Sequence, residues 1–128
     1  MADFYVGGPV LRPGRELPPW VLETYSMLAG LGLRLPSAER ELDVASPPAF
    51  LRQIAGRIAE AVAVIEIFTG GDVNGAVETT IASHRHKPVL VIAENPAAVP
   101  RLLAGLPGVR LAVAGDREAV VSFLRENR

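Results

Sequence analysis

The stretch AVAVIEIFTGGDVNGAVETTIASHRHKPVLVI, residues Ala61–Ile92, decides the fold because it contains a strand, a loop, a helix and a second strand. Residues Val62–Phe68 are almost all apolar and β-branched, which is typical of a parallel strand buried on both faces. Val89–Ile92 repeats this pattern. Because parallel neighbours need a crossover connection, the segment between the two strands predicts a helix.

A glycine-rich loop opens this helix and is followed by one carboxylate. The loop is TGGDVNG, residues 69–75, in which Asp72 and Asn74 are both suitable N-caps. The helix is predicted to run to about His84, with Glu78 one to two turns in. Ligands of open α/β sheets bind where strands end and helices begin, so Glu78 is placed to act on a ligand. The helix dipole alone also favours an early acid, and spacing does not separate the two explanations.

A second glycine loop follows the predicted first strand, Phe4–Val6. Its sequence is GGPVLRPGR, residues 7–15, and the two leading glycines let backbone N–H groups approach an anion or a sugar. The loop does not match the dinucleotide-binding GxGxxG motif, and an ordinary strand-to-helix turn is the alternative.

The other elements are predicted from proline starts, caps and helical spacing. Pro18 and Pro19 open a helix, Leu33–Leu35 is a plausible second strand, and residues 36–48 form a long polar connection. The apolar stripe of that first helix, which we interpret as core, consists of Trp20, Tyr25, Leu28 and Leu31.

The second helix is predicted to begin at Ser46, with Phe50, Ile54, Ile58 and Ala61 at helical spacing. Towards the end of the chain we predict a helix over Ala97–Ala104, a fifth strand over Val109–Val113, and a last helix. Asp116 is its N-cap, and its buried side is expected to contain Val120, Phe123 and Leu124.

Five strands that alternate with helices predict one α/β domain over residues 1–128. We expect a doubly wound, flavodoxin-like (Rossmann-like) five-stranded parallel sheet of order 2-1-3-4-5, with helices on both faces. The switch point would lie between strands 1 and 3. Both glycine loops would then open onto one crevice, with Tyr5 and Glu78 on either side.

Composition excludes several classes of function. The chain has 128 residues, 49% of them hydrophobic, a net charge of −1 and no cysteine. Its scattered positive residues argue against nucleic acid, and the missing cysteines exclude thiolate metal sites and disulfides. His84 and His86 are two apart rather than four, so we expect neither a metal nor a cofactor. With no long apolar run or leader, we expect no membrane contact and a cytoplasmic location.

Three segments resemble the nucleoside 2-deoxyribosyltransferase superfamily. FYVGGP, residues 4–9, is similar to the family's opening Tyr-x-x-Gly-Pro, and DVNGAVE, residues 72–78, to its Asp-x-Gly-x-x-x-Glu. ASHRHKPVLVI, residues 82–92, resembles the continuation A-x-x-x-x-K-P-V-hydrophobic. The related 2'-deoxynucleoside 5'-phosphate N-hydrolases share this layout, including a loop like Gly14-Arg15.

The resemblance implies a retaining displacement at the N-glycosidic bond of a nucleoside or nucleotide. The Glu78 carboxylate would attack the anomeric carbon, Tyr5 would orient it, and Asp72 would contact the sugar or base. Water or a second base would then take the sugar. The substrate-contacting residues that it implies are Gly7, Gly8, Pro9, Arg12, Arg15, Gly71, Asn74 and Gly75.

The chain departs from the family where an acid is usual on the preceding helix, because Arg52, Gln53 and Ile54 stand there. An Asp common just before the third predicted strand is Val62 in this chain. The acids that could substitute are Asp72, Glu66, Glu41 and Asp43. Of these, Glu66 is more often a paired structural charge, and the acids of the long loop are more often solvated.

The substrate and the assembly follow from the same residues. An acid at Asp72 repels a 5'-phosphate and favours a nucleoside, whereas Arg12 or Arg15 could hold a phosphate, so both substrates stay open.

The predicted second and third helices carry surplus apolar residues, namely Leu51, Ile58, Val77 and Ile81. We therefore expect a homo-oligomer whose partner completes the crevice. A non-catalytic protein that only binds a nucleotide-like ligand or a protein partner is the alternative function.

Overall fold

The computed structural model describes residues 3–37, 46–71 and 73–128. A parallel sheet of four strands, in the order β1-β2-β3-β4, forms the centre of this part of the chain. The strands are β1 Phe4–Gly7, β2 Ala63–Phe68, β3 Val89–Ala93 and β4 Val109–Val113. The helices are α1 Pro19–Gly30, α2 Pro47–Glu60, α3 Val73–His84, α4 Arg101–Ala104 and α5 Arg117–Asn127, with a 3-10 turn at Pro96–Ala98.

Helices cover both faces of the sheet, as predicted. On one face α1 and α5 pack against Ile65 and Ile67 of β2, and on the other α2, α3 and α4 pack against Val64 and Phe68. Successive side chains of a strand point to opposite faces, so a central strand with both faces covered is apolar almost throughout. The predicted doubly covered parallel sheet is therefore confirmed.

The predicted helix starts at Ser46 and Asp116 are also confirmed. The Ser46 hydroxyl accepts a hydrogen bond from the Ala49 amide at 3.3 Å, and the Asp116 carboxylate accepts one from the Ala119 amide at 3.1 Å. Each bond satisfies one of the backbone donors that a helix leaves free at its first turn.

The predicted second strand at Leu33–Leu35 is wrong, and with it the five-stranded order 2-1-3-4-5. The Leu33 amide donates instead to the Leu28 carbonyl at 3.1 Å and so caps the C-terminal end of α1. The chain turns between them at Gly32, whose φ is +86°. Pro36 has no amide hydrogen, and among the described residues of this region the only strand-like pairing is an isolated bridge between Leu11 and Ser37. Among the described residues the sheet therefore has four strands, with β1 at its edge.

The single helix predicted over Ala97–Ala104 is divided in two. A 3-10 turn ends at Ala98, and α4 begins only at Arg101. The cause is Pro100, which cannot donate a backbone hydrogen bond and disfavours a helical conformation in the residue before it.

In the part of the chain that the structure describes, no helix has the length and apolar character needed to cross a membrane.

Candidate functional site

The two glycine loops lie side by side because β1 and β2 are neighbouring parallel strands. Gly7, the last residue of β1, pairs in register with Glu66 of β2, and Tyr5 pairs with Val64. Both strands then end at the same edge of the sheet, where α3 begins at Val73. The two loops are thus neighbours, as predicted, although adjacent strands rather than a 2-1-3-4-5 switch point bring them together.

Tyr5 and Glu78 meet directly at this edge. Tyr5 is buried on β1, and its hydroxyl donates a hydrogen bond to Oε2 of Glu78, which is half-buried on α3. A hydrogen bond donated to a carboxylate stabilises its ionised form and restricts its orientation. The arrangement can therefore present the second oxygen of Glu78 to an electrophilic carbon.

Glu66 is the site residue whose importance sequence reasoning underestimated. It is 0% exposed, and its side chain lies between Gly7 of β1 and Gly75 in the first turn of α3. A Cβ atom at Gly75 would lie 3.0 Å from Oε1 of Glu66, and one at Gly7 would lie 2.8 Å from its Cδ. Glycine at both positions therefore leaves the room that the carboxyl group occupies. The sequence signal was an acid inside the apolar strand AVIEIF.

Helix α1 anchors the first loop. The Tyr25 hydroxyl donates to the Pro9 carbonyl at 2.7 Å, a buried hydrogen bond. Gly8 has a φ of +145°, and a Cβ atom there would lie 2.6 Å from the Tyr25 hydroxyl, so only glycine fits. Tyr25 was predicted as a core residue, and its second role in holding the loop was missed.

The remaining predicted ligand contacts are spread around the crevice. Arg12 and Arg15 are exposed, and Arg15 Nη1 donates to the Val10 carbonyl at 3.3 Å, which folds it onto its own loop. Gly71 is exposed in the second loop, and Asn74 is exposed in the first turn of α3. Gly7, Pro9 and Gly75 are buried.

Three of the predicted acids, Asp72, Glu41 and Asp43, lie outside the described residues. On α2 Arg52 is exposed and Ile54 is buried. Gln53 lies between them, half-buried. No acid occupies these three positions, as the sequence already indicates.

The histidines do not gather with other possible metal ligands. His84 is exposed in the last turn of α3, and His86 follows it with a φ of 60°. Within residues 3–37, 46–71 and 73–128 no group of three His, Asp or Glu side chains could hold a metal ion. The absence of a cofactor stays a prediction.

The apolar surface on α2 and α3 is smaller than predicted. Leu51 and Val77 are 52% and 44% exposed, and Val73 adjoins Val77 on α3 with 75% exposure. Ile58 is fully buried and Ile81 packs against the core, because both face the sheet rather than solvent. The exposed apolar residues on these helices are therefore Leu51, Val73 and Val77, which we call the α2–α3 patch.

Comparison with known proteins finds similarity in three dimensions only. No protein-family model and no curated protein sequence matches the chain. A 2-deoxyribosyltransferase from Bacillus psychrosaccharolyticus superposes with a TM-score of 0.68 at 20% identity, over 93% of this chain and 90% of the other. The CMP N-glycosidase BcmB from Clostridium botulinum superposes with a TM-score of 0.53 at 15% identity, over 84% and 87%. At 20% and 15% identity, these two structures support the α/β fold that the sequence resemblance implies.

Proposed function

We propose that the chain cleaves or transfers the glycosyl group of a (deoxy)nucleoside or nucleoside monophosphate, with Glu78 as the nucleophile. The observation that carries the proposal is the hydrogen bond from Tyr5 to Glu78 at the edge of the sheet where both glycine loops begin. The hydrogen bond orients the Glu78 carboxylate, and an oriented carboxylate can form a bond to carbon through an oxygen. This is the requirement for a covalent displacement at an anomeric centre.

In the proposed reaction the Glu78 carboxylate attacks the anomeric carbon while the bond to the base nitrogen breaks. The electron pair of that bond leaves with the base, which takes up a proton from solvent water, and a glycosyl ester of Glu78 remains. Water or a second base then attacks the same carbon and releases Glu78 as a carboxylate. Two displacements retain the configuration of the sugar.

The compared structures support this class of reaction. By name one is a 2-deoxyribosyltransferase and the other a CMP N-glycosidase, and both share the fold of this chain. The motifs of residues 4–9 and 72–78 also resemble those of the superfamily.

The experiment is incubation with a panel of nucleosides and their 5'-monophosphates, followed by chromatography for free base. We expect Glu78→Gln to lower the rate at least ~1000-fold, since an amide of the same shape is not a carboxylate nucleophile. Glu60→Gln, which changes an exposed acid at the end of α2, is the matched control and should leave the rate unchanged. Equal turnover by Glu78→Gln and the wild-type protein would rule out Glu78 as the nucleophile.

The alternative is a non-catalytic protein of the same fold, and α2 carries the observation in its favour. No acid stands at positions 52–54, and Gln53 Oε1 is buried without a hydrogen-bond partner among the described residues. A protein that binds the panel in calorimetry but releases no base with any member would be this alternative.

A further inference from the structure

The outer side of β4 is an open strand edge in the part of the chain that the structure describes. β4 pairs with β3 on one side, and no described strand lies on its other side. Leu111 and Val113 are 38% and 46% exposed, and they point to the same face of the sheet because side chains alternate along a strand. An open edge that carries apolar side chains is a template for pairing with another strand.

The backbone groups of β4 alternate between those that bond β3 and those that point outward. The Val89 amide donates to the Gly108 carbonyl at 3.0 Å, and the Ala114 amide donates to the Ala93 carbonyl at 2.9 Å. Successive peptide groups of a strand point to opposite sides, so the even-numbered residues of β4 are those bonded to β3. The outward amides and carbonyls belong to Val109, Leu111 and Val113.

The chain itself already uses two of these outward groups, one at each end of β4. The Val109 amide donates to the Leu106 carbonyl at 3.2 Å, and the Val113 carbonyl accepts from the Asp116 amide at 3.1 Å. Among the described residues this leaves two donors, the amides of Leu111 and Val113. It also leaves two acceptors, the carbonyls of Val109 and Leu111.

We propose that β4 pairs with β4 of a second copy of this chain, antiparallel and about a two-fold axis at Leu111. In that register Leu111 lies opposite the partner's Leu111, and the two residues exchange both of their hydrogen bonds. Val113 lies opposite the partner's Val109, so its unused amide meets an unused carbonyl. Each copy supplies two donors and two acceptors, and four hydrogen bonds form across the axis.

The two groups that the chain already uses favour a second copy over an unrelated peptide. A peptide extended along this edge would place a carbonyl opposite the Val109 amide and an amide opposite the Val113 carbonyl, and neither would find a partner. In the two-fold arrangement the Val109 amide and the partner's Val113 carbonyl face each other, and both are already bonded within their own chains. The edge is therefore complementary to itself, as a two-fold contact requires.

The exposed apolar side chains suit the same register. Leu111 packs against the partner's Leu111, and Val113 packs against the partner's Val109, on the face of the sheet where Leu111 and Val113 are exposed. Apolar side chains directly opposite one another stabilise a pair of antiparallel strands. The hydrogen bonds and the apolar contacts therefore select the same alignment of the two strands.

Arg110, the charged residue of β4, does not protect this edge. Its guanidinium donates to Glu126 at 2.9 Å and lies 5.4 Å from the centre of the Phe123 ring, so it is turned towards α5. In the proposed register Arg110 lies opposite the partner's Ala112, and no like charges lie directly opposite each other. The strand contains no proline or lysine, which often prevent pairing at an edge.

Single-cysteine variants test the register, because the chain has no cysteine of its own. Leu111→Cys places two thiols opposite each other, with Cα atoms about 5.5 Å apart, a separation that a disulfide spans. Val113→Cys is the matched control on the same face of β4. Its Cα lies roughly 13 Å along the strand from its copy, beyond the about 7 Å that a disulfide can bridge. The double variant Val109→Cys/Val113→Cys brings thiols together again.

The proteins are oxidised mildly at micromolar concentration and separated on a non-reducing gel. We expect Leu111→Cys and the double variant to form at least ~10-fold more covalent dimer than Val113→Cys. No covalent dimer from Leu111→Cys, or equal amounts from Leu111→Cys and Val113→Cys, would overturn the proposal. Since the α2–α3 patch lies on other elements, a dimer formed there leaves the Leu111→Cys thiols apart and counts against the proposal.

Amide hydrogen exchange tests the same contact in the unsubstituted protein, whether or not the variants fold. The amides of Leu111 and Val113 should exchange as slowly as those of Arg110 and Ala112, which are bonded to β3, and exchange at the rate of exposed loops would overturn the proposal. Protection of these amides without cross-linking of a folded Leu111→Cys would mean that a different segment occupies the edge, and it would overturn pairing with a second copy. Neither measurement depends on the proposed glycosyl chemistry.

Discussion

The contact between Gly7 and Glu66 yields a prediction that needs no assumption about the ligand. Gly7→Ala adds a Cβ atom 2.8 Å from the Glu66 Cδ, whereas carbon atoms in contact lie about 3.5–4.0 Å apart. Because Glu66 is fully buried between a strand and a helix, the overlap must displace one of them. We expect Gly7→Ala to lower the free energy of unfolding by about 1–3 kcal/mol, the usual cost of overpacking.

A double-mutant cycle with Glu66→Ala identifies the cause. Removing the carboxyl group opens the space, so in the Glu66→Ala background Gly7→Ala should cost less than about 0.5 kcal/mol. The cycle cancels the effect of Glu66→Ala itself, whatever its sign. Gly56→Ala is the control, because its added Cβ meets no atom within 4 Å and lies in an exposed part of α2. That variant should gain about 0.5–1 kcal/mol in stability.

Urea denaturation measures the cycle with two probes. Far-ultraviolet circular dichroism follows the whole fold, and the fluorescence of Trp20, the only tryptophan, follows α1. Coincident curves allow the free energies to be compared as two-state values. Equal costs of Gly7→Ala in both backgrounds would refute the contact between Gly7 and Glu66.

Three further predictions concern the site and the assembly. Tyr5→Phe should keep the fold and lower kcat roughly 10- to 100-fold, as expected for a lost hydrogen bond to a carboxylate, and unchanged kinetics would show that Tyr5 does not orient Glu78. Activity should persist in EDTA, and its loss followed by restoration with magnesium or zinc would contradict the prediction that no divalent metal is needed. Light scattering at micromolar concentration should show a homodimer or a larger closed oligomer that Leu51→Glu or Val77→Glu dissociates, and a wild-type mass near 13.6 kDa would refute it.

Local patterns in the sequence were sufficient for most of the elements. The apolar run at Ala63–Phe68, the cap at Ser46 and the cap at Asp116 act within a few residues of themselves, so their structures follow from periodicity and capping chemistry alone. The meeting of the two glycine loops also followed, because parallel strands end at the same edge of a sheet. The resemblance of the motifs to the family predicted that Tyr5 orients Glu78, and these two side chains form a hydrogen bond.

Tertiary structure alone decided the strand count and the role of Glu66. Leu33–Leu35 has the composition of a strand, but its first amide is used to end α1 and it lies just before a proline, a competition that composition does not reveal. An acid in an apolar strand can be a solvated edge charge or a buried group, and the sequence does not distinguish them. Glu66 can be buried because Gly7 and Gly75 have no side chains and leave room for its carboxyl group. These two glycines are distant in sequence, and only the packing of α3 on β1 and β2 brings them together.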